Sequence, residues 1–136
     1  MPALNFKHRF ADKVAAGTKT HTVRAWRKRP FKAGDVLMFY TGMRTKACRK
    51  IRPDTVCLSA VAIEVDVLCG VVSLDPGSVN YPLKSGRTLS LTELTRLARA
   101  DGFETVLGFF DFFADKHGGG CVRGQLVEWN PISLTL

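Results

Sequence analysis

Residues 16–29 read AGTKTHTVRAWRKR and place Lys19, Thr20, His21, Thr22 and Arg24 within six positions. A threonine hydroxyl is a weak nucleophile and needs a base beside it. A lysine serves as that base when it is neutral, and burial or neighbouring cations lower its pKa toward the working range. Arg24, Arg27 and Lys28 are the cations at hand. The same stretch also reads as a cationic surface that grips phosphate, with Lys19 a surface lysine and Thr22 an ordinary strand threonine. Residue types alone leave both uses open.

Strand parity sharpens the first use. Side chains alternate faces along a strand, so Thr18, Thr20, Thr22 and Arg24 share one face and Lys19, His21 and Val23 the other. For Lys19 and Thr22 to act together, Lys19 must lie before the regular strand, in the turn after Gly17. His21 reads as a strand-face residue, and neither His8 nor His117 stands in metal-ligand spacing with it. Among the few acids, Asp101 in ARADGF falls at a helix end, where the helix dipole does not favour a carboxylate. Glu64, Asp66 and Glu128 fall at polar strand positions. Trp26, Phe39 and Tyr40 accompany the cations and suit base stacking, while Trp129 reads as core.

The whole chain supports an anionic partner. It has 136 residues and a formal charge of +8, and the excess is local, since Asp35 is the only acid between residues 19 and 52. Such a block fits a nucleotide or nucleic acid, or else a solvated face. With 46% hydrophobic residues the chain can bury a core as one domain over 1–136. No apolar run is long enough to span a bilayer, and the N-terminus shows no signal-peptide pattern. Cys48, Cys57, Cys69 and Cys121 form no CxxC pair, which reads as reduced thiols in a cytoplasmic protein rather than a zinc site or a disulfide framework.

The positioning elements follow from pattern. ALNF reads as a strand, RFADKVAAG as a helix stopped by Gly17, and KTHTVR as a strand. RKRPFKAGD is a loop, VLMFYTG a strand and MRTKACRKIRPD a polar basic connection. Residues 55–74 hold one long strand or two, and 75–87 form a Pro/Gly loop. LSLTELTRLARADGF has capping-box spacing at Ser90 and Glu93. ETVLGFFDFFADKHGGG reads as a second helix with its phenylalanines mostly toward the core, and CVRGQLVEW closes as a strand. The order gives an α+β domain on a curved or closed sheet.

Phe6, Arg9, Phe10, Gly17, Lys19, Thr20, Thr22 and Arg24, followed by Phe31, Gly34 and Asp35, form a gapless pattern from Leu4 to Leu37. It resembles the ASCH domain of the PUA-like superfamily, and most closely the small bacterial N4-acetylcytidine amidohydrolases. The resemblance implies a small β-barrel with helices packed around it, and RNA binding or nucleoside chemistry. It implies hydrolysis of the exocyclic amide of N4-acylated cytidine, with Lys19 as base, Thr22 as nucleophile and a carboxylate at Asp101, with Glu104 the alternative. The family carries a glutamate at that carboxylate. Arg24, Trp26, Phe6 and Tyr40 are then the expected substrate contacts, with no cofactor and no metal. Two alternatives stand beside it: an RNA-binding module without catalysis, its groove lined by Arg24, Trp26, Arg27, Lys28 and Arg29, and, ranked last, a ribonuclease. Residues 43–54 and 75–87 are additions to the family's pattern.

Overall fold

The computed structural model describes residues 2–75, 83, 86–117 and 120–129. The chain runs β1 (Ala3–Phe6), α1 (His8–Ala16), β2 (His21–Ala25), β3 (Val36–Thr41), β4 (Arg49–Val56), β5 (Ser59–Asp66), β6 (Val71–Asp75), β7 (Arg87–Thr88), α2 (Leu91–Ala100), α3 (Val106–His117) and β8 (Cys121–Glu128). One sheet has the order β1-β3-β4, with β1 and β3 parallel, and the other the order β2-β8-β5-β6-β7. The α+β expectation holds. The closed barrel does not, since no ladder joins the two sheets among the described residues.

Local chemistry accounts for the element ends. Gly17 takes a left-handed φ of 83° and its N–H closes α1 on Lys13 and Val14, the role for which glycine is favoured. Ser90 and Glu93 form the reciprocal capping box that opens α2. The basic connection expected over 43–54 is half strand, because β4 is an edge strand. Pro53 is tolerated there, and Ile51 is the one buried residue of the strand. Two register irregularities against β3 further blur its alternation. The turn before it is held firmly. Gly42 stands at φ 67° and Arg44, a non-glycine, at φ 66°, a conformation that costs about 1 kcal/mol. The stretch 55–74 divides into the end of β4, all of β5 and most of β6. Most of the 75–87 loop lies outside the described residues.

The core lies between the sheets. Phe6, Phe39 and Trp129 pack with ring centroids 5.0–6.1 Å apart. Phe10, Phe103, Phe109 and Phe113 carry it under the helices. Gln125, buried on β8, clamps the backbone of Phe31, donating to its carbonyl at 2.7 Å and accepting from its N–H at 2.8 Å. The chain changes sheets at a corner. Cys57 N–H donates to Asp35 on the β3 side, and Leu58 N–H donates to Glu128 of β8. At the opposite side β1 and β2 face each other without a backbone ladder, and a side chain spans the gap: Arg24 Nη2 donates to the Asn5 carbonyl at 3.0 Å.

Gly124 lies opposite Ala25 on β8, and a Cβ there would meet the Arg24 carbonyl oxygen at 1.9 Å. Gly124→Ala is therefore expected to push β2 off β8 and to cost about 3 kcal/mol, at the upper end of overpacking. Urea denaturation measures this, and an unchanged midpoint would show that the strand pair yields without cost.

Candidate functional site

The gap between β1 and β2 is a cleft with a cavity of about 60 Å³, lined by Asn5 and Phe6 of β1, Phe10 of α1, Lys19, Thr22 and Arg24, with Asp101, Phe103, Phe112 and Phe113 opposite. Regular strand geometry begins at His21, so Lys19 precedes it as parity requires. The Lys19 N–H still bonds the end of α1 at Lys13, and the Thr20 N–H bonds Ala100 at the end of α2. This places the KTHT segment between two helix ends.

Lys19 is 3% exposed and Asp101 likewise 3%. Lys19 Nζ lies 2.6 Å from Asp101 Oδ1 and contacts the Asp101 and His21 carbonyl oxygens at 2.5 and 3.0 Å. Its stem runs past Gly102, where a Cβ would meet Lys19 Cδ and a Phe10 ring carbon at 3.1 Å each. Gly102 has φ 93°, so glycine suits both the turn and the passage of the stem. Burial is the main influence on both charges. It pushes the Lys19 amine below its ordinary value and the Asp101 carboxyl above its own, while their mutual attraction opposes both shifts. Both directions lead toward an amine–carboxylic acid pair sharing one proton. The three Nζ contacts serve either form. An ammonium donates all three, whereas an amine donates to the two carbonyls and accepts from the Asp101 hydroxyl.

Thr22 and Arg24 form a second pair on one face of β2. Arg24 Nε donates to Thr22 Oγ1 at 3.1 Å, and the guanidinium stands 4.9 Å from the Phe6 ring centroid. Burial lowers the Arg24 pKa to about 10, so the group stays charged at neutral pH. Lys19, Thr22 and Asp101 thus line one cavity, but no hydrogen bond joins Lys19 to Thr22. The threonine turns to Arg24, and the lysine to Asp101.

Of the expected substrate contacts, Phe6 and Arg24 line the cleft, and Trp26 and Tyr40 do not. Trp26 lies past the end of β2 and is 50% exposed. Tyr40 sits opposite Asn5 in register, on the outer face of its sheet, while its neighbours Phe39 and Thr41 point inward. Glu104 is exposed and lies against Lys13, Thr18 and Arg99, in a different depression, so Asp101 is the carboxylate in reach. Sequence reading missed the setting of His21. His21 is 3% exposed, and its ring lies 2.9 Å from both Thr20 Oγ1 and Glu128 Oε2. The partner comes from the β2–β8 register, in which His21 faces Glu128, and no local pattern carries that information. Glu64 and Asp66 hold their expected polar positions, one near Arg123 and the other capping Cys69 N–H.

The chain matches no protein-family model, no curated protein and no solved structure. No helix among the described residues is long and apolar enough to cross a membrane, and the four cysteines are free.

Removing one member of a buried charge pair strands the other, at about 3–5 kcal/mol. Lys19→Met is expected to destabilise the protein by that order, whereas Lys19→Met with Asp101→Leu costs much less. The single variant also acquires a pH dependence. Loss of Lys19 leaves burial to raise the Asp101 pKa further. A folded-state pKa raised above its ordinary 3.8 gives stability that is present below that value and lost as pH rises through the folded value. Urea titrations from acid to neutral pH should show Lys19→Met weakening relative to wild type as pH increases. A constant difference would mean that Asp101 finds another partner.

Proposed function

We propose that the protein hydrolyses the exocyclic amide of N4-acylated cytidine. The observation that carries the reading is the meeting of Lys19, Thr22, Arg24 and Asp101 in one small cleft, an arrangement that a binding module has no need of. The resemblance of Leu4–Leu37 to the ASCH amidohydrolases supports the choice of reaction. We also read the two sheets as a PUA-like barrel left open between β1 and β2. A cavity of about 60 Å³ suits the acyl end of such a substrate, with the nucleoside lying toward the mouth.

The pairings support the following steps. Arg24 Nε on Thr22 Oγ1 stabilises developing negative charge on that oxygen, which makes the hydroxyl a better nucleophile. Thr22 Oγ1 attacks the acyl carbonyl carbon and loses its proton to the Lys19–Asp101 pair. The pair holds one titratable proton at rest and two after the attack, so it acts as one base rather than through lysine alone. It returns the proton to N4 as the C–N bond breaks and cytidine leaves. Water then attacks the Thr22 ester and gives one proton to the pair, which passes it to Thr22 Oγ1 as that C–O bond breaks; the acid leaves with the second proton and ionises to acetate in solvent.

The RNA-binding reading draws on a different observation. Arg27, Lys28 and Arg29 are exposed beside the half-exposed Trp26. They stand apart from the cleft residues and form a candidate rim for a nucleic acid.

Incubation with N4-acetylcytidine tests the reaction. The wild type is expected to release cytidine. Thr22→Val should lower kcat by about 10³-fold or more, and Lys19→Ala and Asp101→Asn by about 10²–10⁴-fold. Absence of cytidine from the wild type, or full activity in both the Lys19 and Thr22 variants, would reject it.

A further inference from the structure

The basic segment between β3 and β4 takes no part in these steps. We propose that the loop from Gly42 to Arg49 binds phosphate, so that the protein takes its acylated cytidine as a phosphorylated nucleotide rather than a free nucleoside. The substrate half of this inference rests on the reading of the cleft given above.

Position comes first. Phe6 and Asn5 form the β1 wall of the cleft. The Phe6 carbonyl accepts from Thr41 Oγ1 at 2.8 Å, and Asn5 Oδ1 accepts from the Met43 N–H at 3.0 Å. One strand spacing, about 5 Å, therefore separates the cleft wall from the start of the loop. A nucleotide with its base at the cleft mouth can extend across that distance.

Charge comes next. Arg44, Lys46 and Arg49 are exposed, and none has an ion-pair partner among the described residues. Lys50 is set apart, since it pairs with Asp54. No acid occurs between Asp35 and Asp54 in the sequence. Phosphate is the ligand chemistry that arginine and lysine of one sign recognise best.

The backbone supplies the third argument. A cationic loop that is merely solvated has no need of a fixed shape. Here Thr45 Oγ1 donates to the Gly42 carbonyl at 2.6 Å and accepts from Ala47 N–H at 3.1 Å. A Cβ on Gly42 would meet the Ala47 carbonyl oxygen at 2.8 Å, and Arg44 is held in the left-handed region. The cations are thus carried on a preformed frame, which lowers the entropy lost on binding.

The test compares kcat/KM of the full chain for N4-acetylcytidine, its 5′-monophosphate, and a single-stranded trinucleotide with the acetylated cytidine at its centre. One charge-assisted phosphate contact predicts an advantage of about 10-fold or more for the phosphorylated substrates, expressed mainly in KM. The variant Arg44→Gln/Lys46→Gln/Arg49→Gln should bring the ratio close to one. Lys46→Gln and Arg49→Gln, which leave the Arg44 backbone alone, should each remove part of it. The trinucleotide arm names the source: a polynucleotide if it exceeds the monophosphate, a free nucleotide if it falls below. An NMR titration with cytidine 5′-monophosphate reads the loop without turnover, and amide shifts across Arg44–Cys48 are expected. Those shifts without hydrolysis of any substrate would reject the amidohydrolase and keep the phosphate loop. Equal kcat/KM for nucleoside and monophosphate, discrimination retained in the triple variant, or loop amides unmoved by the nucleotide would overturn the proposal.

Discussion

The buried contact between Lys19 and Asp101 is the constraint on which the rest of the site depends. It joins residues 82 positions apart, and each lies where a helix ends. Holding two ionisable groups out of water is costly unless their hydrogen-bonding capacity is met. Here the Asp101 carboxyl group, the Asp101 carbonyl and the His21 carbonyl meet it for the Lys19 nitrogen. Everything nearby serves that arrangement. Gly17 turns the chain so that Lys19 precedes β2, Gly102 leaves room for the stem, and the Phe6 and Phe10 rings flank the amine at 5.8 and 5.0 Å.

A second division of labour follows from parity. Within KTHTVR, the residues on one face of β2, Thr22 and Arg24, bond to each other. Lys19, outside the strand, bonds to the helical side of the cleft. The threonine is thus held by the sheet, and the lysine chiefly by Asp101 at the end of α2, with one contact to the His21 carbonyl of β2. The cleft exists because β1 and β2 do not pair. Arg24 reaches over that gap to Asn5, so one side chain both closes the wall and touches the candidate nucleophile.

Much of this was legible in the sequence where the signal is local. Gly17, the Ser90–Glu93 box and the apolar run VLMFY each declare an element within a few residues. Counting gave only a condition, that Lys19 lie before the strand if it is to work with Thr22; the strand read over KTHTVR begins two residues later, at His21. Pairings across the chain were not legible in that way. His21 acquires Glu128 only through the β2–β8 register, and Arg52 and Lys50 hid β4 because an edge strand needs few apolar positions. The separation of the two sheets likewise turns on Cys57 and Leu58, whose backbone partners lie at Asp35 and Glu128. Burial separates Asp101 from Glu104: the two lie three residues apart, and the turn at Gly102 sends one inward and leaves the other in solvent.

The sheet order carries a consequence for how the protein is made. Among the described residues, β2 has a single ladder partner, β8, the last strand in the chain. A ribosome that has synthesised α1, β2 and β3 holds a chain in which Thr22 has no sheet to sit on and Lys19 has no carboxylate. Such non-local closure is slow relative to local structure. Thr22 therefore gains its sheet only once β8 has been made, and no nascent chain that stops short of β8 carries the formed cleft.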